Sequence, residues 1–178
     1  MVHTACKYWP EDQLEEIIGI GVDLNAIPTK IKMAPIHFAS KYSTPKIIKL
    51  LIDKNVNLEE KTNESLSPIH HICKYSTKEV LQHIVEKKVD LECRTTAGWK
   101  PIHLLSANSD YQTIHYFIGL GIELNDIIVY RKNFENIISL LMSNKNLSDP
   151  EKESLIYYLV EKKIKLFDAI KIFSNYSK

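Results

Sequence analysis

The sequence has little net charge, few glycines and cysteines, and no long apolar run. Its 23 basic and 22 acidic residues leave a formal net charge of +1. This balance argues against nucleic acid as a partner, because such domains usually carry a strong basic excess. No apolar run approaches the roughly 18 residues that a membrane-spanning helix needs, so no membrane partner is predicted. The five glycines are few for an all-β protein rich in tight turns.

The three cysteines, Cys6, Cys73 and Cys93, form an odd and sparse set. Such usage is typical of reduced thiols in an intracellular protein rather than of a disulfide framework. Residues 1–13 lack a charged stretch followed by an apolar one, so no signal peptide is predicted. A cytoplasmic location is therefore expected.

Motifs of common enzyme classes are also missing. The sequence contains neither of the glycine-rich phosphate-binding patterns G-x-x-x-x-G-K-[ST] and G-x-G-x-x-G. It also lacks the G-x-S-x-G pattern that carries a nucleophilic serine. Neighbouring carboxylates such as Glu15 and Glu16 fit solvated helix positions. We therefore predict no catalytic activity and no cofactor.

What the chain does contain is an internal repeat. The tripeptide Pro-Ile-His recurs with a period of 33 residues, beginning at Pro35, Pro68 and Pro101. A second marker of the type Val-Asp-Leu follows nearly the same period, beginning at Val22, Val56, Val89 and Ile122. A truncated copy opens the chain, with His3 in the phase of His37. Two markers in one phase predict one supersecondary unit stacked several times.

Each copy predicts a pair of helices. The proline fits the first turn of a short helix, where its missing N–H costs nothing. Starts of the second helix are predicted from N-cap and capping-box patterns at Thr44 with Pro45, Ser76 with Glu79, and Ser109 with Gln112. Its end should precede a residue in the left-handed conformation, and the candidates are Gly21, Asn55, Lys88 and Gly121.

This pattern resembles the ankyrin repeat, a unit of about 33 residues with the motif Thr-Pro-Leu-His-x-Ala. The motif appears here as residues 34–39, 67–72 and 100–105, and the resemblance covers residues 1 to about 126. The family threonine survives only as Ser67 and the hairpin glycine only as Gly98. The resemblance implies an all-α solenoid of about four to five stacked helix-turn-helix repeats. Short β-hairpin-like loops would join the repeats, and a C-terminal helix would cap them.

We interpret the whole chain as one domain, divided as 1–26 (a truncated repeat), 27–59, 60–92, 93–126 and 127–178. The last segment is a degenerate repeat with an insertion and a capping helix. Its predicted elements are a helix from Phe134 to Met142, a loop from Ser143 to Pro150, a helix from Glu151 to Leu166 and a last helix from Phe167 to Ser174. The chain opens inside a first helix, which predicts a fragment of a longer array or a trimmed cap.

The histidines in one repeat phase allow two interpretations. The resemblance implies that they make structural hydrogen bonds between neighbouring units. Alternatively, His70 and Cys73 lie on one helix face and could begin a zinc site, although such a site needs four converging ligands. The position three after each of these histidines always holds a small residue, namely Cys6, Ser40, Cys73 and Ser106. This regularity fits tight helix packing, so the structural interpretation is favoured and no metal is predicted.

The resemblance places partner binding on the concave face, made of the hairpin tips and the exposed side of the first helices. Repeat phase then selects the residues two before each proline and those that close each first helix. The hairpin candidates, which are expected to be exposed, are Met33, Leu66 and Trp99, and the helix-end candidates are Lys41, Tyr42, Lys74, Tyr75 and Asn108. His71 is added because it falls on the side of its first helix that faces the groove. Tyrosines are frequent at binding hot spots, and lysines favour an acidic or phosphorylated segment. Alternatively, the tyrosines pack between repeats and the lysines are only solvated.

The function predicted from these features is a monomeric scaffold or adaptor that binds another protein in its concave groove. One alternative is a structural or oligomerising segment of a larger protein, such as a channel, a signalling enzyme or an effector. A more remote alternative is a metal-binding protein that uses His70 and Cys73.

Overall fold

The computed structural model describes residues 2–27, 30, 32–126, 128–130 and 133–162 of the chain. Helices alternate between two layers along this part of the sequence. The first helix of each pair is α1 (Val2–Tyr8), α3 (Pro35–Tyr42), α5 (Pro68–Tyr75), α7 (Pro101–Asn108) and α9 (Ile137–Ser143). The second is α2 (Glu11–Gly19), α4 (Pro45–Asp53), α6 (Lys78–Glu86), α8 (Tyr111–Gly119) and α10 (Asp149–Glu161).

The core forms where equivalent helices of neighbouring pairs stack on each other. Each first helix contacts the first helix of the next pair, and each second helix contacts the next second helix. One continuous cluster of buried apolar side chains extends from Val2 to Leu159. Because each pair is too small to bury its own apolar face, neighbouring pairs must supply the cover. The all-α repeat solenoid expected from the sequence is confirmed.

Prolines start the first helices as predicted. Pro35, Pro68 and Pro101 each occupy the first helical position of α3, α5 and α7, after a residue with extended backbone. The predicted capping boxes of the second helices are wrong by one residue, because the N-caps are Thr77 and Asp110. The hydroxyl of Ser109 instead donates 3.3 Å to the carbonyl of Cys73 in the preceding repeat. That serine therefore joins two repeats rather than capping its own helix.

Left-handed residues lie where the sequence predicted them. The φ angles are 84° at Gly21, 54° at Asn55, 58° at Lys88 and 79° at Gly121. A further set closes the hairpin tips, with φ of 44° at Lys32, 58° at Ser65 and 82° at Gly98. The tips therefore share one backbone turn, although glycine occupies it in only one repeat.

Lys88 carries the strain of this conformation without the local hydrogen bonding that lets asparagine adopt it. Replacing Lys88 with glycine should therefore raise the free energy of unfolding by about 1 kcal/mol. The matched change Asn55→Gly should raise it by only a few tenths. Urea unfolding of both variants measures the difference. A less stable Lys88→Gly protein would mean that the lysine side chain makes a contact worth more than the strain.

The C-terminal unit departs from the prediction. A β-hairpin pairs β1 (Ile128–Tyr130) with β2 (Asn133–Glu135) in antiparallel register. The helix predicted from Phe134 therefore begins only at Ile137. Its start is set by Asn136, whose side chain accepts from the Ser139 amide at 2.9 Å. A polar cap thus replaces the proline of the internal repeats.

The loop between α9 and α10 is held in place by a buried asparagine. The buried side chain of Asn144 donates to the carbonyls of Ser106 and Ser109, at 3.0 and 2.8 Å. Helix α10 begins at Asp149, inside the predicted loop, because Ser148 and Glu151 form a capping box. The predicted helix from Phe167 to Ser174, and the second helix beyond residue 162, lie outside the described residues.

Candidate functional site

The first helices end in alternating lysine and tyrosine side chains. We call Lys7, Tyr8, Lys41, Tyr42, Lys74 and Tyr75 the lysine–tyrosine ladder. The Nζ atom of Lys7 lies 4.8 Å from the ring centre of Tyr8 and 5.3 Å from that of Tyr42. Lys41 similarly lies 5.0 Å from Tyr42 and 5.5 Å from Tyr75. Each of these two cations therefore joins a ring of its own repeat to a ring of the next.

The ladder stays open to solvent. Tyr42 and Tyr75 are each 42% exposed, and Tyr8 is 68% exposed. In the part of the chain that the structure describes, the three ladder lysines form no ion pair with a carboxylate. The lysines thus lie between tyrosine rings of neighbouring repeats, and part of each ring remains exposed to a binding partner.

Two of the tyrosines favour the charged form of the lysine that precedes them. A hydrogen bond with Tyr8 raises the pKa of Lys7, and one with Tyr42 raises the pKa of Lys41. The like charge of Lys7 opposes the second effect without reversing it. The ladder therefore presents positive charge at neutral pH.

Two neighbouring hairpin tips, which end at Leu66 and Trp99, share one hydrogen-bond pattern. The Thr95 amide donates to the Trp99 carbonyl at 2.9 Å, and the Trp99 amide donates back to the Thr95 hydroxyl at 3.1 Å. Thr62 makes the same two bonds with Leu66, at 3.0 and 3.2 Å. The sequence prediction missed these threonines, although their spacing of 33 residues was visible in the repeat.

His37 and His70 connect the first helices to these tips. The Nδ1 atom of each accepts from the amide of its own N-cap residue, at 3.1 and 3.2 Å. Nε2 therefore carries the proton and donates to the carbonyl of Leu66 or Trp99, at 3.2 and 3.1 Å. Burial lowers the pKa of His70 to about 4, so the ring is neutral at pH 7. The structural interpretation of the repeating histidines is confirmed for these two.

The alternative zinc site at His70 and Cys73 finds no support in the geometry. Both ring nitrogens of His70 are already bonded to protein groups. Cys73 is fully buried, and burial raises the pKa of its thiol well above the ordinary range. Among the described residues, no group of three or more histidine, cysteine or acidic side chains is placed to hold a metal ion.

A pocket of about 560 Å³ lies where the ladder meets the tips. Helices α5 and α7 and the two tips form its walls. It is lined by Glu64, Leu66, His70, His71, Lys74, Tyr75, Thr95, Thr96, Ala97, Trp99, Leu104 and Asn108. The tips are joined at its rim, where the Thr96 amide donates to the Glu64 carbonyl at 2.9 Å. Apolar walls with a few polar groups are typical of a recognition pocket.

The structure brings six of the nine predicted residues together in this pocket, namely Leu66, His71, Lys74, Tyr75, Trp99 and Asn108. Lys41 and Tyr42 belong to the adjoining ladder, whereas Met33 lines neither. The three hairpin residues Met33, Leu66 and Trp99 are half-buried, not exposed as expected. Trp99 leans on the edge of the His103 ring, with ring centres 6.2 Å apart.

His71 lies on the groove side of α5, as predicted, but beneath the surface. It is 7% exposed, and its ring meets that of His37 edge to face at 5.1 Å. Neither of its ring nitrogens has a hydrogen-bond partner. Burial, together with the neighbouring basic groups His37, His70, Lys74 and Lys41, lowers its pKa to about 3.

A family model described as ankyrin repeats (3 copies) matches residues 2–93 and again residues 36–128. The chain belongs to the ankyrin-repeat family. No curated protein matches it. The ankyrin match ends at the first strand of the β-hairpin, so the divergent unit that follows lies beyond it. Within the described residues, no helix of this ankyrin stack combines the length and apolar character needed to cross a bilayer.

Proposed function

We propose that this ankyrin stack is a scaffold or adaptor that binds an acidic segment of another protein on its concave face. The observation that carries the proposal is the continuity of the ladder with the 560 Å³ pocket. Exposed aromatic rings, the lysines that contact these rings and a partly apolar cavity thus share one side of the stack. Large aromatic contacts supply affinity, and complementary charge steers the encounter.

The near-zero net charge of the whole chain does not reveal the positive charge of the ladder. In the loops that follow the second helices, carboxylates accept hydrogen bonds from backbone amides. Glu92 accepts from the Glu123 amide at 2.8 Å, and Glu59 accepts from the Asp90 amide at 3.4 Å. Among the described residues, the lysines of the ladder pair with no carboxylate. The ladder therefore offers a positive surface that suits an acidic or phosphorylated segment.

The protein is proposed to act as a monomer that neither catalyses a reaction nor carries a cofactor. Its face resembles a binding surface in composition, with tyrosine, tryptophan and leucine surrounded by polar side chains. A segment that follows the ladder would cross successive repeats, as expected for the extended surface of a solenoid.

Replacing Tyr42, Tyr75 and Trp99 with alanine should weaken partner binding by about 100-fold or more, because each is a candidate hot spot. Helical content should stay unchanged. Circular dichroism and pull-down from extracts of the native cell measure the two effects. Tyr157→Ala is the matched control, since Tyr157 is 75% exposed on α10 and lies off the concave face.

An unfolded triple variant would assign these three side chains to the core and contradict the proposal. Salt provides a separate test of the charge. The captured partner should be released as salt rises from roughly 50 to 500 mM, because screening weakens attraction between exposed charges. Binding that is insensitive to salt would show that the ladder lysines contribute no charge attraction.

A further inference from the structure

His71 is an exception among the buried histidines. His37 and His70 use both ring nitrogens in hydrogen bonds. His103 uses Nδ1 and leaves only Nε2 without a partner among the described residues, whereas His71 leaves both nitrogens without one. Buried polar groups without a partner are rare in native proteins and reduce stability. The edge-to-face contact with His37 fills space but replaces neither hydrogen bond.

The fold itself does not require histidine at this position. The equivalent residues of the neighbouring repeats are Phe38 and Leu104, and both pack against the core as apolar side chains. The repeat therefore accepts an apolar side chain in the same place. A residue that costs stability and is dispensable for folding points to binding.

The surroundings of His71 indicate what it would bind. It lies in the wall of the pocket, beside Lys74 and Tyr75 of its own helix. The titratable groups that act on it are the lysines Lys41 and Lys74, which are charged, and the neutral rings of His37 and His70. All of them are basic. The pocket therefore combines the ammonium of Lys74 with the unused ring nitrogens of the buried His71, and the carboxylate among its lining residues, Glu64, is exposed to solvent.

We propose that this pocket binds the carboxylate side chain of an acidic residue in the partner, with His71 and Lys74 as its hydrogen-bond donors. The inference rests on the proposed function and deepens it by naming the group that enters the pocket. The ring of His71 turns to present its N–H, and the stem of the acidic side chain lies against Leu66 and Trp99. The ladder then contacts the flanking part of the same segment.

The test uses hexaglutamate as the probe and hexaglutamine as the uncharged control peptide. In the full chain, His71→Leu should weaken hexaglutamate binding about tenfold, as expected for the loss of a hydrogen bond to a charged group. The same variant should have a higher urea midpoint than the wild type. Phe38→Leu is the matched control, because it places leucine at the same repeat position outside the pocket.

NMR of the wild-type protein with ¹⁵N-labelled histidine gives a second measurement that does not depend on any variant. Hexaglutamate should shift the ring nitrogens of His71, and hexaglutamine should leave them unchanged. His71→Phe repeats the binding test should the leucine variant fold poorly, since phenylalanine already occupies this position at Phe38.

Equal hexaglutamate affinity in wild type and His71→Leu would overturn the inference, as would unshifted His71 signals. A lower urea midpoint in both His71→Leu and His71→Phe would show that the ring supports the fold and would also overturn it. The proposed function is judged separately, by loss of the cellular partner in the triple alanine variant. Loss of that partner together with unchanged hexaglutamate binding by His71→Leu would retain the groove and reject the carboxylate pocket.

Discussion

Acidification from pH 7 to pH 5 should lower the free energy of unfolding by roughly 3 to 5 kcal/mol. In the folded protein, burial lowers the pKa of His70 and His103 to about 4 and that of His71 to about 3. In the unfolded chain, histidine titrates near 6.5. As the pH falls, the unfolded state therefore binds protons first. The full stability is present above pH 6.5 and is lost progressively toward pH 4.

Urea unfolding at pH 7, 6 and 5 measures this loss. The His71→Leu variant serves as the control, because it removes one of the three groups. Its stability should fall less steeply, by up to about 1.4 kcal/mol for each pH unit. Lowered carboxylate pKa values, such as that of Asp126, affect stability only below this range. A stability that stays constant down to pH 5 would mean that the buried rings accept protons without unfolding.

Replacing Asp126 with alanine should lower the free energy of unfolding by about 2 to 3 kcal/mol. One carboxylate oxygen of Asp126 pairs with the Nζ of Lys100, whose side chain is only 4% exposed. The other lies 2.8 Å from a guanidinium nitrogen of Arg94. Burial alone would lower the pKa of Lys100, but hydrogen bonds with Asp126 and Glu92 outweigh it and raise that pKa. Without Asp126, Glu92 is the one carboxylate among the described residues that still pairs with the buried ammonium, and it is 42% exposed.

The double variant Lys100→Met with Asp126→Ala distinguishes the pair from the individual residues. Because the methionine carries no charge to leave unpaired, the double variant should recover most of the stability that Asp126→Ala loses. Chemical unfolding of the two single variants and the double variant gives the coupling energy. If Asp126→Ala stays within about 0.5 kcal/mol of wild type, water satisfies Lys100 and the pair is not structural.

Sequence reasoning succeeded where a residue acts on its own backbone. Proline has a fixed φ and no N–H, so Pro68 starts a helix whatever surrounds it. It failed at Ser109, whose hydroxyl bonds to a carbonyl 36 residues earlier in the chain. It also failed at Phe134, where a strand of the β-hairpin replaces the predicted helix. At Ser109, a hydrogen-bond partner distant in sequence decided the structure. After Phe134, the helix start was decided by the cap at Asn136, which no predicted motif had marked.

The candidate site divides in the same way. Repeat phase correctly indicated that Tyr42 and Tyr75 close their helices, because equivalent positions of a solenoid share one face. It could not indicate that lysines would lie between these rings. Nor could it show that His71 would be buried without a hydrogen-bond partner, because burial depends on the neighbouring repeat as well as on the residue's own.

The sequence alone determined the period of the stack, the helix starts at the prolines and the left-handed turns at positions such as Gly121. These features depend on local backbone geometry that repeats every 33 residues. Tertiary structure alone decided the pocket beside Trp99, the burial of the His71 ring without a hydrogen-bond partner and the burial of the Lys100 ammonium. Each of these arises between units, where side chains from different repeats meet and where exclusion of water sets the energy of every polar group.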